Sequence, residues 1–158
     1  MATLHLICGL PGAGKTTLAR KLETELPALR LTPDEWIAQI LADVSDRTEL
    51  DRLRDPIEAV QWQVAVKTLA LGVDVILDFG FWGREERREF RRRAEALGAK
   101  VKWHFLVVDR EELWARISKR NAALPSGTFY NSEEECDIYW SLFEPPTDEE
   151  LELDAPIL

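Results

Sequence analysis

The sequence predicts one α/β domain built on a mostly parallel sheet with helices on both faces. Three observations carry that prediction. Short runs rich in Val, Ile, Leu and Phe alternate along the chain with longer amphipathic stretches, the order that yields parallel strands joined by crossover helices. The first run, Leu4-His5-Leu6-Ile7-Cys8, leads into Gly9-Leu10-Pro11-Gly12-Ala13-Gly14-Lys15-Thr16 and then into a helical stretch. G-x-x-x-x-G-K-[ST] between a strand and a helix is a phosphate-cradling pattern. Acids stand where later strands stop, at Asp78 and Asp109, on the sheet edge where ligands of such folds bind.

Each element has its own reason. Leu4–Cys8 reads as a fully buried strand. The first helix runs from Lys15 to Leu26 and stops before Pro27, because the residue preceding proline resists helix. Leu29–Thr32 is a second strand, followed by Pro33, Asp34 and a helical stretch over Glu35–Leu41. Residues 43–54 are charge-rich and read as loop or frayed helix. Asp55-Pro56 looks like an N-cap with proline at the first helical position, opening a helix to Leu71 that Gly72 ends. Val73–Asp78 is the third strand, Arg84–Leu97 a helix closed by Gly98, and Val101–Val108 the fourth strand. Asp109 to Ala123 is a further helix. Past the turn Pro125-Ser126-Gly127, a weaker helix starts at Asn131 or Ser132, runs to Phe143, and is broken by Glu144-Pro145-Pro146-Thr147. Leu151–Leu158 has the apolar content of a short last strand, with Pro156 restricting it to an edge or a coil.

The glycine-rich loop is where chemistry enters. The loop backbone at Gly9, Pro11, Gly12, Ala13 and Gly14 and the helix start at Thr16 and Thr17 surround an anion, every residue but Pro11 offering an N–H. Lys15 reaches the β- and γ-phosphates of a triphosphate, and the Thr16 hydroxyl suits Mg²⁺. Asp34 lies just past the second strand, across the crevice from that loop. There it either accepts the proton of an attacking hydroxyl or caps a helix, and the two roles are compatible. Asp78 ends Val75-Ile76-Leu77-Asp78, so its carboxylate either holds Mg²⁺ or orients an acceptor. Asp109 has the same setting, but N-capping of the following helix accounts for it. Arg116 and Arg120 share one helix face, as a phosphate clamp or as two solvated arginines. Arg84 and Arg87 are the arginines of their helix nearest the strand ends, and Trp82 is placed to floor an acceptor pocket.

Composition narrows the partners. The chain has 158 residues, 46% hydrophobic and 31% charged, with no apolar stretch long enough for a membrane span. The start goes straight into a strand, without a basic segment and cleavage site, so the expectation is a cytoplasmic protein with no signal peptide. Cys8 and Cys136 are too few for a disulfide framework. The net charge of −9 is uneven: no Lys or Arg follows Arg120, whereas ten acids do. That argues against a long polynucleotide as partner. The acidic segment 133–158 is either a solubilising surface or a rim that draws a cationic acceptor, such as an amino sugar or antibiotic. The expected partner is a small hydroxyl-bearing acceptor, and a monomer and a homodimer fit equally.

The set Gly9–Thr17, Thr32-Pro33-Asp34-Glu35, Val75–Trp82, Arg87 and Arg116-x-x-x-Arg120 resembles the small P-loop kinases. It is similar in particular to the "AAA domain" ATP-binding kinases related to polynucleotide kinase, zeta toxin and chloramphenicol phosphotransferase. The resemblance spans residues 3 to 150. It implies a nucleoside-kinase-like three-layer sandwich with strand order 2-3-1-4-5 and a helical lid over about 116–144, in one domain. It implies Mg·ATP as cofactor, with Asp34 as general base, Lys15 and Arg120 as catalytic cations, and Arg116 beside the phosphates. Asp78 matches a carboxylate whose role differs among relatives. The acidic tail departs from a polynucleotide-binding relative.

Overall fold

A computed structural model of the protein describes residues 1–153. Four strands form one sheet: β1 (Thr3–Cys8), β2 (Ala28–Leu31), β3 (Asp74–Gly80) and β4 (Lys100–Phe105). All pair in parallel, in the order β2-β3-β1-β4. The fifth strand expected at the edge is not among the described residues. Leu151–Leu153 instead close a short helix, α7 (Asp148–Leu153), and the rest of the expected strand, residues 154–158, lies outside the described residues.

The pleat builds the three layers. Side chains of a strand alternate between the faces of a sheet. Leu4, Leu6, Cys8, Val75 and Leu77 face one side and bury against Ala65 and Leu69 of α3 (Arg47–Ala70) and Ala94 of α4 (Arg84–Ala96). Ile7 and Ile76 face the other side, against Leu18, Ala19 and Leu22 of α1 (Lys15–Glu25). Beyond the strand ends, α5 (Arg110–Ala123) and α6 (Glu133–Leu142) pack Leu113, Ile117 and Cys136 against Leu10 and Ala13 of the glycine-rich loop.

Two boundaries differ from expectation in ways that shape the crevice. The segment over residues 47–54, read as loop or frayed helix, is the first third of α3, and Pro56 sits inside the helix. Asp55 therefore caps nothing; Asp46 does, accepting from the backbone N–H of Glu49 at 3.2 Å. Proline removes one helical hydrogen bond and crowds the preceding turn. The loss is offset by burial: Leu50 and Ile57 lie against Ile37 of α2 (Pro33–Ile40), together with Phe129. The third strand also runs two residues past Asp78, where the backbone N–H of Gly9 donates to the Gly80 carbonyl at 2.9 Å. Asp109 accepts from Glu112 N at 2.9 Å and caps α5, as its position predicted.

Arg87 is the largest departure. Its side chain is only 1% exposed and does not face the crevice. It pairs with both carboxylate oxygens of Glu150, at 2.6 and 3.1 Å, and donates to the carbonyls of Phe81 and Trp82, at 3.0 and 3.1 Å. Phe81 has φ +48°, a left-handed conformation costly for a bulky residue. Arg87 thus ties the last described helix to the strained turn that carries Trp82, and the reading of Arg87 as a substrate contact is corrected. Breaking a buried pair strands the other charge, at about 3 kcal/mol or more. Arg87→Ala should therefore lower Tm by several degrees in a thermal melt, whereas an unchanged Tm would contradict the brace.

Candidate active site

A cavity of about 420 Å³ opens at the carboxyl ends of the strands. Its phosphate end is the loop between β1 and α1. Gly12 and Gly14 hold φ of +85° and +96°, conformations that glycine adopts without strain. At Gly12 a Cβ would come within 2.9 Å of Ile117 Cγ1, so α5 seats against the loop only because that position lacks a side chain. Lys15 lines the cavity and donates to the Leu10 carbonyl at 3.0 Å, and Pro11 and Thr16 line it too. Burial lowers the pKa of Lys15, with Asp78 and Asp34 pulling the other way.

Asp78 is 5% exposed at the cavity floor. Its Oδ2 accepts from Thr16 Oγ1 at 2.7 Å and Thr32 Oγ1 at 3.1 Å, and its Oδ1 has no hydrogen-bond partner. Burial raises the pKa of this carboxyl, and Lys15 opposes the shift. A buried carboxylate oxygen left without a donor is costly unless a ligand meets it. An unfilled oxygen beside a threonine hydroxyl fits the donor set of a hard cation such as Mg²⁺.

Asp34 stands across the cavity in the first turn of α2. It does not cap that helix; Thr32 holds the N-cap position. Arg54 Nη1 of α3 lies 2.9 Å from Asp34 Oδ1. Arg120 enters from α5, with Nη2 donating to Asn131 Oδ1 at 2.8 Å. Burial lowers the pKa of its guanidinium, and Asp34 opposes the shift. Arg116, one turn earlier, does not line the cavity. It pairs with Glu112 at 2.7 Å and reaches toward the carbonyls of Gly12 and Ala13 at 3.4 and 3.5 Å. Trp82 lines the cavity, and its indole N–H donates to the Gly9 carbonyl at 3.2 Å.

The segment after α5 and one residue of α6 line this site, through Gly127, Thr128, Phe129, Asn131 and Tyr139. The loop after α5 packs Phe129 into the cluster under α2 and α3. From α6, Tyr139 lies against Trp82 with ring centroids 5.1 Å apart. Arg47 of α3 donates to the Tyr139 hydroxyl and pairs with Glu135 at 2.9 Å, which ties α6 to α3 across the opening.

The acids of the C-terminal segment turn elsewhere. Among the described residues, none of those past residue 132 lines the cavity. Glu150 holds Arg87, and Glu144 accepts from the backbone N–H of Arg84 at 2.5 Å. The rim expected there is supplied by other residues: Asp51, Asp55 and Glu58 of α3 and Glu86 of α4. The sequence does not point to these, because residues 43–54 read as loop or frayed helix rather than as a regular helix. The spacing Asp51, Asp55, Glu58 is one helical face, legible once the helix is extended upstream. Burial pushes the Glu58 carboxyl up to about 8; Glu86, Asp55 and Asp34 add to the shift, and Arg54 opposes it. The folded state thus holds a proton that the unfolded chain releases near pH 4.5, so this group's contribution to stability falls as pH rises from there through 8. The Tm of the Glu58→Gln variant should decline less than that of the parent between pH 6 and 9; parallel declines would refute the assignment.

Comparison with known proteins agrees with this geometry. The sequence pattern of a family described as "AAA domain" matches residues 4–146. No curated protein matches the chain. A structure of an RNA repair complex contains a chain 21% identical, with a TM-score of 0.68 over 89% of this chain and 43% of that one. This chain therefore spans less than half of that protein. A kinase-like protein from Chloroflexus aurantiacus is 20% identical, with a TM-score of 0.69, over 92% of this chain and 82% of that one. Kti12 of Chaetomium thermophilum, in complex with ADP-AlF3, is 17% identical with a TM-score of 0.69, over 97% and 86% of the two chains. At these identities the likeness is one of fold.

Proposed function

Because the chain belongs to the AAA domain family and has the fold of small P-loop kinases, we propose that it moves the γ-phosphate of ATP to a hydroxyl of a small acceptor. Membership implies nucleotide binding. One observation carries it. Asp34, Lys15, Arg120 and Asp78 line a single cavity, so a base, two cations and a metal-binding carboxylate converge where a triphosphate and an acceptor would meet.

The residues divide the chemistry. Backbone N–H groups of Gly12 and of Gly14 to Thr17 hold the phosphates, those of Gly9 and Ala13 being taken by the Gly80 and Leu10 carbonyls. Thr16 and Asp78 would hold Mg²⁺, which shields the phosphate charge when bound. Asp34 takes the proton of the acceptor hydroxyl while that oxygen bonds to the γ-phosphorus. The bond from this phosphorus to the β,γ-bridging oxygen breaks, and ADP departs. Lys15 and Arg120 face the oxygens on which charge builds. Arg116 steadies the loop from its outer side. Trp82, braced through Arg87, walls the acceptor side.

The test is a screen of hydroxyl compounds for acceptor-dependent ADP release and label transfer from ATP. A second reading, transfer to nucleic-acid or nucleotide ends, is favoured by the likeness to a protein in an RNA repair complex. The carboxyls of Asp55, Glu58 and Glu86 oppose it, since they would repel a phosphodiester backbone. Label appearing on oligonucleotide 5′ ends would decide for it. Slow ATP hydrolysis that no acceptor stimulates would instead mark a nucleotide-binding module without transfer.

A further inference from the structure

The cavity has two ends of unlike charge. At the phosphate end, Lys15 and Arg120 face Asp78 and Asp34. At the far end stand Asp55, Glu58 and Glu86, from two helices that wall the cavity. Their neighbours offset them only in part: Arg54 acts on Glu58, and Arg87 with the Gly83 backbone on Glu86. Arg54 is bound to Asp34, and Arg47 to Glu135. Among the described residues, no base lies within ion-pair distance of Asp55, Glu58 or Glu86. Glu58 feels Glu86 and Asp55 as like charges, and Glu86 feels Asp55. Unpaired carboxyls that repel one another across a cavity are stabilised by a cation between them.

A second observation points to a ligand in the same space. Asp78, nine-tenths buried, lines that cavity with an Oδ1 that no protein group satisfies. The cavity is thus built around absent positive charge at its floor as well as at its wall. The wall does not suit a bare metal ion. Among the described residues, no three His, Cys, Asp or Glu side chains converge closely enough to hold one. Aromatic side chains share the same lining: Phe79, Phe81 and Trp82 line the cavity together with the acids. Carboxyls spread around aromatic rings match an organic ammonium group, which is broader than a metal ion and also favoured by π faces.

We infer that Asp55, Glu58 and Glu86 form an ammonium subsite that selects an aminated polyol as acceptor, its hydroxyl toward Asp34 and its amine toward α3 and α4. This rests on the phosphotransfer reading for the role of the hydroxyl, but the amine subsite is tested independently of it. The raised pKa of Glu58 accords with a wall awaiting a cation.

The experiment is an NMR titration of the ¹⁵N-labelled protein with 2-deoxystreptamine, a diamino polyol, and with its di-N-acetyl form, which has the same ring without the charge. Expected are amide shifts concentrated in residues 51–58 and 82–86, and affinity for the diamine at least about 10-fold above that for the acetylated form. Glu58→Gln combined with Glu86→Gln should abolish this preference. Equal affinity for the two compounds, no response, or shifts confined to residues 133–153 would overturn the proposal, the last as general attraction to a chain of net charge −9. The comparison of the two compounds on the parent protein needs no variant to fold. A separate titration with ATP, followed by an assay of label transfer, addresses the phosphotransfer reading. Amine selection without transfer would sink that reading and leave the subsite standing.

Discussion

Asp34→Asn is expected to bind ATP as the parent does and to lose acceptor phosphorylation by ~10²-fold or more. The amide has nearly the shape of the carboxylate but takes up no proton, so the effect should fall on kcat. The surroundings favour an orienting base. Arg54 Nη1 sits 2.9 Å from Oδ1 as an ion pair, while that buried oxygen has no hydrogen-bond donor of the protein and is left to meet the hydroxyl. Phosphoryl transfer proceeds through a loose transition state, in which placing the nucleophile counts for more than strong basicity. Calorimetry with ATP and a label-transfer assay with the identified acceptor separate the two effects. Undiminished turnover would remove Asp34 from the base role.

Lys15→Ala should depress transfer by about 10² to 10³-fold, the usual cost of deleting one preorganised charge at developing phosphate oxygens. Its ammonium also opposes the burial that raises the pKa of Asp78. Without it, Asp78 shifts further toward its protonated form and becomes a poorer metal ligand. The variant should therefore need more Mg²⁺ for its residual activity and gain relatively more from higher pH. A Mg²⁺ titration at two pH values checks both effects. Parent-like turnover would show that Lys15 does not face the transferred group.

What was legible in the chain depends on whether local chemistry or packing made the decision. The glycine-rich loop was readable because φ near +90° at Gly12 and Gly14 and a lysine-threonine pair are local demands with few sequence solutions. Ser132, read as one of two starts of the lid helix, caps α6 in a reciprocal box with Glu135, and Asp109 caps α5. The start of α3 was misread for an equally local reason: Asp55-Pro56 is a good helix opening when taken alone. Only the burial of Leu50 and Ile57 against α2 makes a helix through Pro56 more favourable. That shift of nine residues, from Asp55 to Asp46 as the cap, brings Arg47, Asp51 and Arg54 into the site. Arg87 was misplaced because a charge near a strand end is as suited to a ligand as to a buried carboxylate, and Glu150 lies 63 residues away in sequence.

By itself the sequence determined the alternation of strands and helices, the phosphate loop, and the acids at the strand ends. Hydrophobic periodicity, capping and backbone sterics act over a few residues and are written where they act. The tertiary structure decided which charges share a space. It separated Arg116 from Arg120, although they stand one turn apart, since an advance of ~6 Å along a helix carries a side chain from one side of a loop to the other. It also drew the C-terminal acids out of the site and set those of α3 and α4 in their place. Coulomb interactions depend on distance and burial, not on order in the chain, so they become readable only when the fold has brought distant residues together.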